Sequence, residues 1–238
     1  TDDSKSKVER LPIKDLHVFE QHHKGPAMAR NLGAAKAAGD ILVFVDGDMT
    51  FDNKFLEELT KPISSGKSKG TFSKEEFVSN WENPWARCWN YNEGIVDNNR
   101  IPNDYPDTAP VFRAILRSEF ERAVGFDDIG YTDDWTLSRK LGFEAVAAPG
   151  ARYYHISPGS LSEVFAQAGW IGKNEFMSGS LVRRIFNFIR YAVPVSIFIG
   201  LSKSIQYASM HFLLFKVVYD LGIVIGILNV AVGKSTYK

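Results

Sequence analysis

Apolar positions are unevenly distributed along this chain. Residues 5–24 are polar and mixed, with only a short strand predicted at LHVFEQ. The pattern then sharpens. Ala27 to Ala38, rich in Ala, Lys and Arg, predicts a helix with Gly39 as its C-cap. ILVFV (41–45) predicts a buried strand that stops at Asp46-Gly47-Asp48. Asp52 or Asn53 is placed to cap the next helix, where Phe55, Leu56 and Leu59 recur at helical spacing until Pro62 ends it. SSGKSKG reads as a loop and GTFSKEEFV as a strand, while Trp81, Trp85 and Trp89, four apart, share one face of a predicted helix. NNRIPNDYPDTAP has the composition of a long surface loop or lid. After it come a strand (VFRAIL), a short helix (RSEFERAV), a helix opened by Asp133 and Asp134, and a strand-like FEAVAAPGARYYH. Helical and strand patterns alternating in this way predict an α/β domain.

Past residue 160 the composition changes. Ile185 to Leu201 and Tyr207 to Val232 are apolar runs, the first marginal for a spanning helix of ~20 residues and kinked by Pro194, the second long enough. Lys216 and Asp220 lie four apart, so a helix would pair them, and Gly222 and Gly226 form a small-residue step suited to helix contact. Arg183 and Arg184 precede the first run, Lys234 and Lys238 follow the second, and only Lys203 lies between. A helical hairpin would put both clusters on the cytoplasmic side. A pair of amphipathic helices packed on the soluble domain is the alternative. The expected division is therefore a catalytic domain over 1–160, an interfacial amphipathic segment over 161–184 and a membrane-associated hairpin over 185–238.

Composition narrows the function classes. Lys and Arg number 28 against 28 Asp and Glu, so no concentrated basic character argues for nucleic acid. The single Cys88 cannot form an intrachain disulfide, which suits a reducing compartment. His17, His22 and His23 lack the partners a metal site needs.

The chemistry concentrates in two places. Asp46 and Asp48 are hard oxygen donors at the C-terminal end of a strand, where α/β sheets bind ligands, and they suit Mg²⁺ or Mn²⁺ sharing its shell with a diphosphate. Arg30, near the start of the preceding helix, can offer a diphosphate two parallel hydrogen bonds. Asp134 at a helix N-terminus is the candidate general base, with Asp133 orienting the site, although Asp also simply caps helices there. The tryptophan stripe reads first as core packing, with Trp85 and Trp89 as an acceptor platform the alternative.

GPAMARNLGAAKAAGDILVFVDGD and GFDDIGYTDDWTLSRKLGFEA, in that order, resemble the nucleotide-sugar core and the acceptor-side motif of family 2 glycosyltransferases. The resemblance covers about residues 1 to 160 and rests on Ala29-Arg30-Asn31, Asp46-Gly47-Asp48, Asp133-Asp134, Arg139 and Gly142. It implies a GT-A fold, a mostly parallel sheet flanked by helices, whose first strands are absent from this sequence and whose base-reading carboxylate is lost or reduced to Asp2. It also implies a nucleotide-sugar donor bound by Arg30, Asn31 and Asp46, a Mn²⁺ or Mg²⁺ ion on Asp46, Asp48 and His155, and inverting transfer with Asp134 as base. The acceptor would be lipid-linked or a glycan at the membrane, with the catalytic domain cytoplasmic. A catalytically silent nucleotide-sugar-binding or scaffold protein of the same fold is the alternative.

Overall fold

A computed structural model of the chain describes residues 3–22, 24–129, 132–177, 186 and 189–231. Asp2, His23, Arg183, Arg184, Lys234 and Lys238, which carry expectations above, lie outside the described residues.

The first helix, α1 (Ser4–Glu9), was not foreseen, and LHVFEQ forms no strand. Helix α2 (Gly25–Lys36) opens with Pro26, whose missing N–H would be unpaired there anyway. It ends at Ala37, which turns extended two residues before the predicted Gly39 cap. Strand β1 (Ile41–Val43) follows, and Phe44 N–H extends its pairing by bonding the Arg113 carbonyl. β2 (Met49–Phe51) leads to α3 (Phe55–Ser64). Lys54, not Asp52 or Asn53, occupies the N-cap, and Pro62 lies inside the last turn rather than ending the helix. Phe55, Leu59 and Ile63 are its buried stripe, and Leu56 faces solvent. The predicted single strand at 70–78 is broken at Ser73–Glu75 into β3 (Gly70–Phe72) and β4 (Glu76–Val78). Helix α4 (Pro84–Asn92) is capped by the Asn83 side chain, which accepts from Trp85 N–H, so Trp81 falls outside it. After the long loop come β5 (Thr108–Ala109), β6 (Ala114–Leu116) and α5 (Arg117–Arg122). A 3₁₀ turn at Asp133–Trp135 runs into α6 (Thr136–Leu141), then β7 (Ala145–Ala147) and β8 (Tyr153–His155).

The larger sheet has the order β1-β6-β3-β7-β5, and β2-β8-β4 form a smaller one. The sheets are mixed rather than mostly parallel. β3 and β7 are parallel, as are β4 and β8, whereas β1–β6, β3–β6, β5–β7 and β2–β8 are antiparallel. Crossovers through helices return a strand in its original direction, and β1, β3 and β7 all run one way. The excursion 108–116 enters from the long loop without a preceding helix and runs against them twice, as β5 and β6. On β6, Ile115 joins the core beneath α2, α5 and α6, and its neighbour Ala114 joins the core beneath α3, so helices cover both faces. The result is the α/β GT-A arrangement with helices C-terminal to it.

Among the described residues three longer helices follow: α7 (Leu161–Met177), α8 (Val193–Gln206) and α9 (His211–Ala231). Pro194 starts α8 instead of kinking it. With 14 residues at 1.5 Å each, α8 is too short to cross a ~30 Å hydrocarbon layer. Among the described residues α9 alone is long and apolar enough to do so. It packs against α7 as well as α8. Val164 and Ala168 of α7 pack with Ile223 and Ile227 of α9, and between them glycines let the backbones meet: a Cβ on Gly226 would strike the Gly169 carbonyl, one on Gly172 the Ile223 carbonyl, and one on Gly222 would lie 2.7 Å from the Phe165 carbonyl. The Gly222–Gly226 step thus makes helix contact, and its partner is α7. Lys216 and Asp220 pair at 2.8 Å, with Ser196 Oγ donating to the other Asp220 oxygen at 2.7 Å.

Candidate functional site

The strand end at Val43 delivers Asp46 and Asp48 to the rim of the large sheet, and α2 brings Arg30 alongside. Arg30 donates to Asp46 Oδ1 at 2.9 Å and to Asp133 Oδ1 at 3.2 Å. One guanidinium therefore joins the two motifs. Arg113, buried just ahead of β6, donates to the second Asp46 oxygen at 3.2 Å. Burial alone would raise the Asp46 pKa, but Arg113 and Arg30 outweigh it and hold the carboxyl below its usual range.

Asn31 sits one residue on, and its side chain bonds the backbone of Phe126. Its amide donates to the Phe126 carbonyl and accepts from Phe126 N–H, both at 2.9 Å. Next to it Gly125 adopts φ +72°, and a Cβ there would lie 2.5 Å from Asn31 Oδ1. This clamp ties α2 to the segment that leads into Asp133 and Asp134. Thr136 Oγ1, accepting from Asp127 N–H, holds the same segment from the other side. Asp127 and Asp128, expected in a turn, lie instead in irregular backbone after the turn at Ala123 and Val124.

Asp133 is buried, and its Oδ2 has no hydrogen-bond partner. Burial pushes its pKa up to about 6, with Arg30 opposing and the charge of Asp134 reinforcing the rise. Asp134 is half-buried. Its pKa is also raised by burial, against the pull of Arg30 and Arg113. Both carboxyls are thereby moved toward the strength of a working base.

Asp48 faces a second cluster. His155 at the end of β8 places Nε2 3.0 Å from Asp48 Oδ2 and Nδ1 3.0 Å from Glu76 Oε1. Arg100 Nε bonds the same Glu76 oxygen at 2.8 Å, and Tyr153 Oη donates to Glu76 Oε2 at 2.8 Å. Burial opposes ionisation of Glu76, yet His155, Arg100 and Arg113 bring its pKa down to about 2.

For a metal ion, the predicted ligands divide. Both Asp46 oxygens are held by arginines, whereas Asp48 and His155 converge, and the described residues contain no cluster of three potential protein ligands. Their 3.0 Å separation is that of adjacent ligands about 2.1 Å from an octahedral ion. A neutral imidazole can donate to only one of two flanking carboxylates, so the contact with Asp48 calls for a second ring proton or a cation between them. Asp48 and His155 fit a divalent ion whose shell a diphosphate would complete.

A cavity of about 640 Å³ opens from Asp48 and His155 toward α7 and α9, with Trp89, Arg100, Trp170 and Gly226 among its walls. Trp89 reaches it while packing edge-on against Phe215 and Tyr219. Trp85 does not line it and lies against His211. The tryptophan stripe is thus mainly packing, with one ring shared.

The family model for glycosyl transferase family 2 matches residues 1–122, more than half the chain. The chain belongs to glycosyl transferase family 2. The match includes Arg30, Asp46 and Asp48 and ends before Asp133. This family 2 chain is also similar to the pre-mycofactocin glycosyltransferases of two Mycobacterium tuberculosis strains, CDC 1551/Oshkosh and ATCC 25618/H37Rv. Each is 28% identical over 173 residues, covering 70% of this chain and 36% of the relative. The alignment therefore spans about a third of the relatives' length.

Arg113, Glu76 and Arg100 were missed in the sequence. For Arg113 and Glu76 the available signal was a charged residue inside a strand-like apolar run, VFRAIL or EEFV, whereas Arg100 sits in the polar loop NNRIPNDYPDTAP, where a charge is unremarkable. A charge inside such a run is costly to bury without a partner, but the run does not say which partner.

Proposed function

We propose that this chain transfers a sugar from a nucleotide-diphosphate sugar to a hydroxyl or lipid-phosphate acceptor, with inversion, using a divalent ion. The observation that carries the reading is Arg30 bridging Asp46 and Asp133, which puts the donor-side and acceptor-side motifs in one cleft.

In this reading Arg30 and Arg113 are held by Asp46 beside the donor diphosphate, ready to share their N–H groups with its oxygens. Asp48 and His155 hold Mn²⁺ or Mg²⁺, with Glu76 fixing the imidazole by accepting from Nδ1. When bound, the ion offsets the charge that grows on the leaving diphosphate. Charge balance supports it: Arg30, Arg100 and Arg113 face Asp46, Asp48, Glu76, Asp133 and Asp134, an excess of two negative charges. Asp134 takes the proton from the acceptor hydroxyl, and Asp133, fixed through Arg30, orients it. A phosphate acceptor arrives already ionised and leaves Asp134 only a positioning task.

The acceptor would approach through the 640 Å³ cavity, whose aromatic and polar walls suit an amphiphilic molecule. Membrane association is supported by α9 and by the apolar surface of α8 and the turn after it, where Phe198, Ile205 and Met210 are 74%, 83% and 89% exposed. The basic residues flanking the apolar runs favour a cytoplasmic catalytic domain.

The test is calorimetric titration of UDP and GDP, with and without Mn²⁺, into the chain and into Asp48→Ala. Binding that needs the ion and is lost in the variant is the expected result. Ion-independent binding unaffected by the substitution would remove the metal role of Asp48 and favour the silent scaffold.

A further inference from the structure

A second polar cavity, of about 370 Å³, lies on α8 and α9, away from the donor and acceptor motifs. Three cationic side chains from different parts of the helical region line it: Arg190 ahead of α8, Lys203 on α8 and Lys216 on α9. Tyr191, Tyr219, Asn92 and Glu93 complete its polar lining. Lys216 and Arg190 are close enough to repel Lys203, and Glu93 is close enough to attract it.

Its charges do not cancel. Asp220 neutralises Lys216 through a 2.8 Å pair, which leaves Glu93 alone against Arg190 and Lys203. Lys203 Nζ donates to the Tyr91 carbonyl at 3.2 Å, at the C-terminal end of α4, and the guanidinium of Arg190 lies 5.5 Å over the Tyr191 ring. Neither contact supplies an anion. Lys216 is held 6.0 and 5.5 Å over the Tyr191 and Tyr219 rings, so the tyrosines fix a cation at the cavity wall. Around this cavity the exposed surface is apolar, with Ile189 60% and Val193 51% accessible.

We infer that this cavity binds a phosphate group, and that the group is the headgroup phosphate of an anionic lipid whose chains lie along the apolar surface of α8. An exposed Arg190 and a half-buried Lys203 beside an apolar face suit a ligand that is charged at one end and oily at the other. The site does not depend on the donor cleft. It would fix how the helices sit on a bilayer, rather than what the cleft transfers.

The test compares the full chain with Arg190→Gln/Lys203→Gln in co-sedimentation with vesicles of phosphatidylcholine alone or with one-fifth phosphatidic acid, and in calorimetric titration with inorganic phosphate. Lys216 is left intact because removing it would strand buried Asp220. Preference for phosphatidic acid should fall about 30-fold in the double variant, with phosphatidylcholine binding and the melting temperature unchanged. Arg190→Lys should keep most of it. Phosphate binding that the double variant loses, without any vesicle preference, would uphold the anion site and make free phosphate its ligand. A preference unchanged in the double variant, or binding of neither ligand, would overturn the proposal. Asp48→Ala serves as the control that separates this site from the donor cleft, and it should bind vesicles as the parent does.

Discussion

The cleft and the helical region bury charge in opposite ways. In the cleft, carboxylates and guanidinium groups share partners in a connected series: Arg30 serves Asp46 and Asp133, Asp46 serves Arg30 and Arg113, and Glu76 serves Arg100, Tyr153 and His155. In the helical region, among the described residues, the buried ion pair is Lys216 with Asp220, set beside the Tyr191 and Tyr219 rings, and glycines meet backbone at points along the contact with α7. A pair that is sealed and complete stabilises or merely tolerates burial, whereas a shared network with an unpaired oxygen on Asp133 keeps groups near their titration point. The difference separates a part built to react from a part built to hold.

The strongest way to break that contrast is Asp134→Asn. Removing a general base should lower kcat by roughly 10²–10⁴-fold, with nucleotide affinity and melting temperature retained, as measured by steady-state transfer and titration. A comparable loss of nucleotide binding would mean that Asp134 holds the cleft together instead of acting in it.

On the other side, Gly172→Val should force α7 and α9 apart and cost about 3 kcal/mol in denaturant unfolding, because what it meets is Ile223 backbone, which cannot rotate away. The same substitution at Gly33, which has open space around it, should be neutral or slightly stabilising, because valine is the better helix former.

Acid titration sharpens the comparison within the cleft. Glu76 has a folded pKa of about 2, below its ordinary 4.5, so its contribution is fully present above about pH 4.5 and is lost as pH falls toward 2. Glu76→Gln should flatten that loss, by up to about 3 kcal/mol, in unfolding experiments run between pH 2 and 5.

Asp133 runs the other way. Its folded pKa of about 6 exceeds the ordinary 3.8, so stability from this group is greatest below about pH 4 and declines as pH rises to 6. Asp133→Asn should remove that decline, a change of about 1–2 kcal/mol after allowing for screening. Transfer activity should in contrast rise with pH through about 6, since the base and its neighbour act as carboxylates, and the Asn variant should shift that limb.

Much of the fold could be read from the chain because local pattern governs it. The buried strand before Asp46, the stripe on α3, the helix opened by Asp133 and Asp134, and the Gly222–Gly226 contact are all periodicities or short-range signals. What was not legible depends on pairing at a distance. Whether the 108–116 excursion runs with or against its neighbours is decided by which strands it meets, 30 to 70 residues away, and this made the sheet mixed. Arg113 and Glu76 look like ordinary strand charges until β6 and β8 place them beside Asp46 and His155. Asn31 shows the same limit from the other side: its place in a recognisable motif does not reveal that it brackets Phe126 and Gly125.

The glycine seam has a consequence for what the large cavity can admit. Gly169 and Gly226 line that cavity and also touch across the α7–α9 contact. Where those two glycines meet, the wall is main chain set against main chain and cannot yield by a side-chain rotation. A change in the size or shape of an accepted molecule is therefore made through the side chains around that fixed stretch, Trp89, Phe165, Trp170 and Arg100 among them.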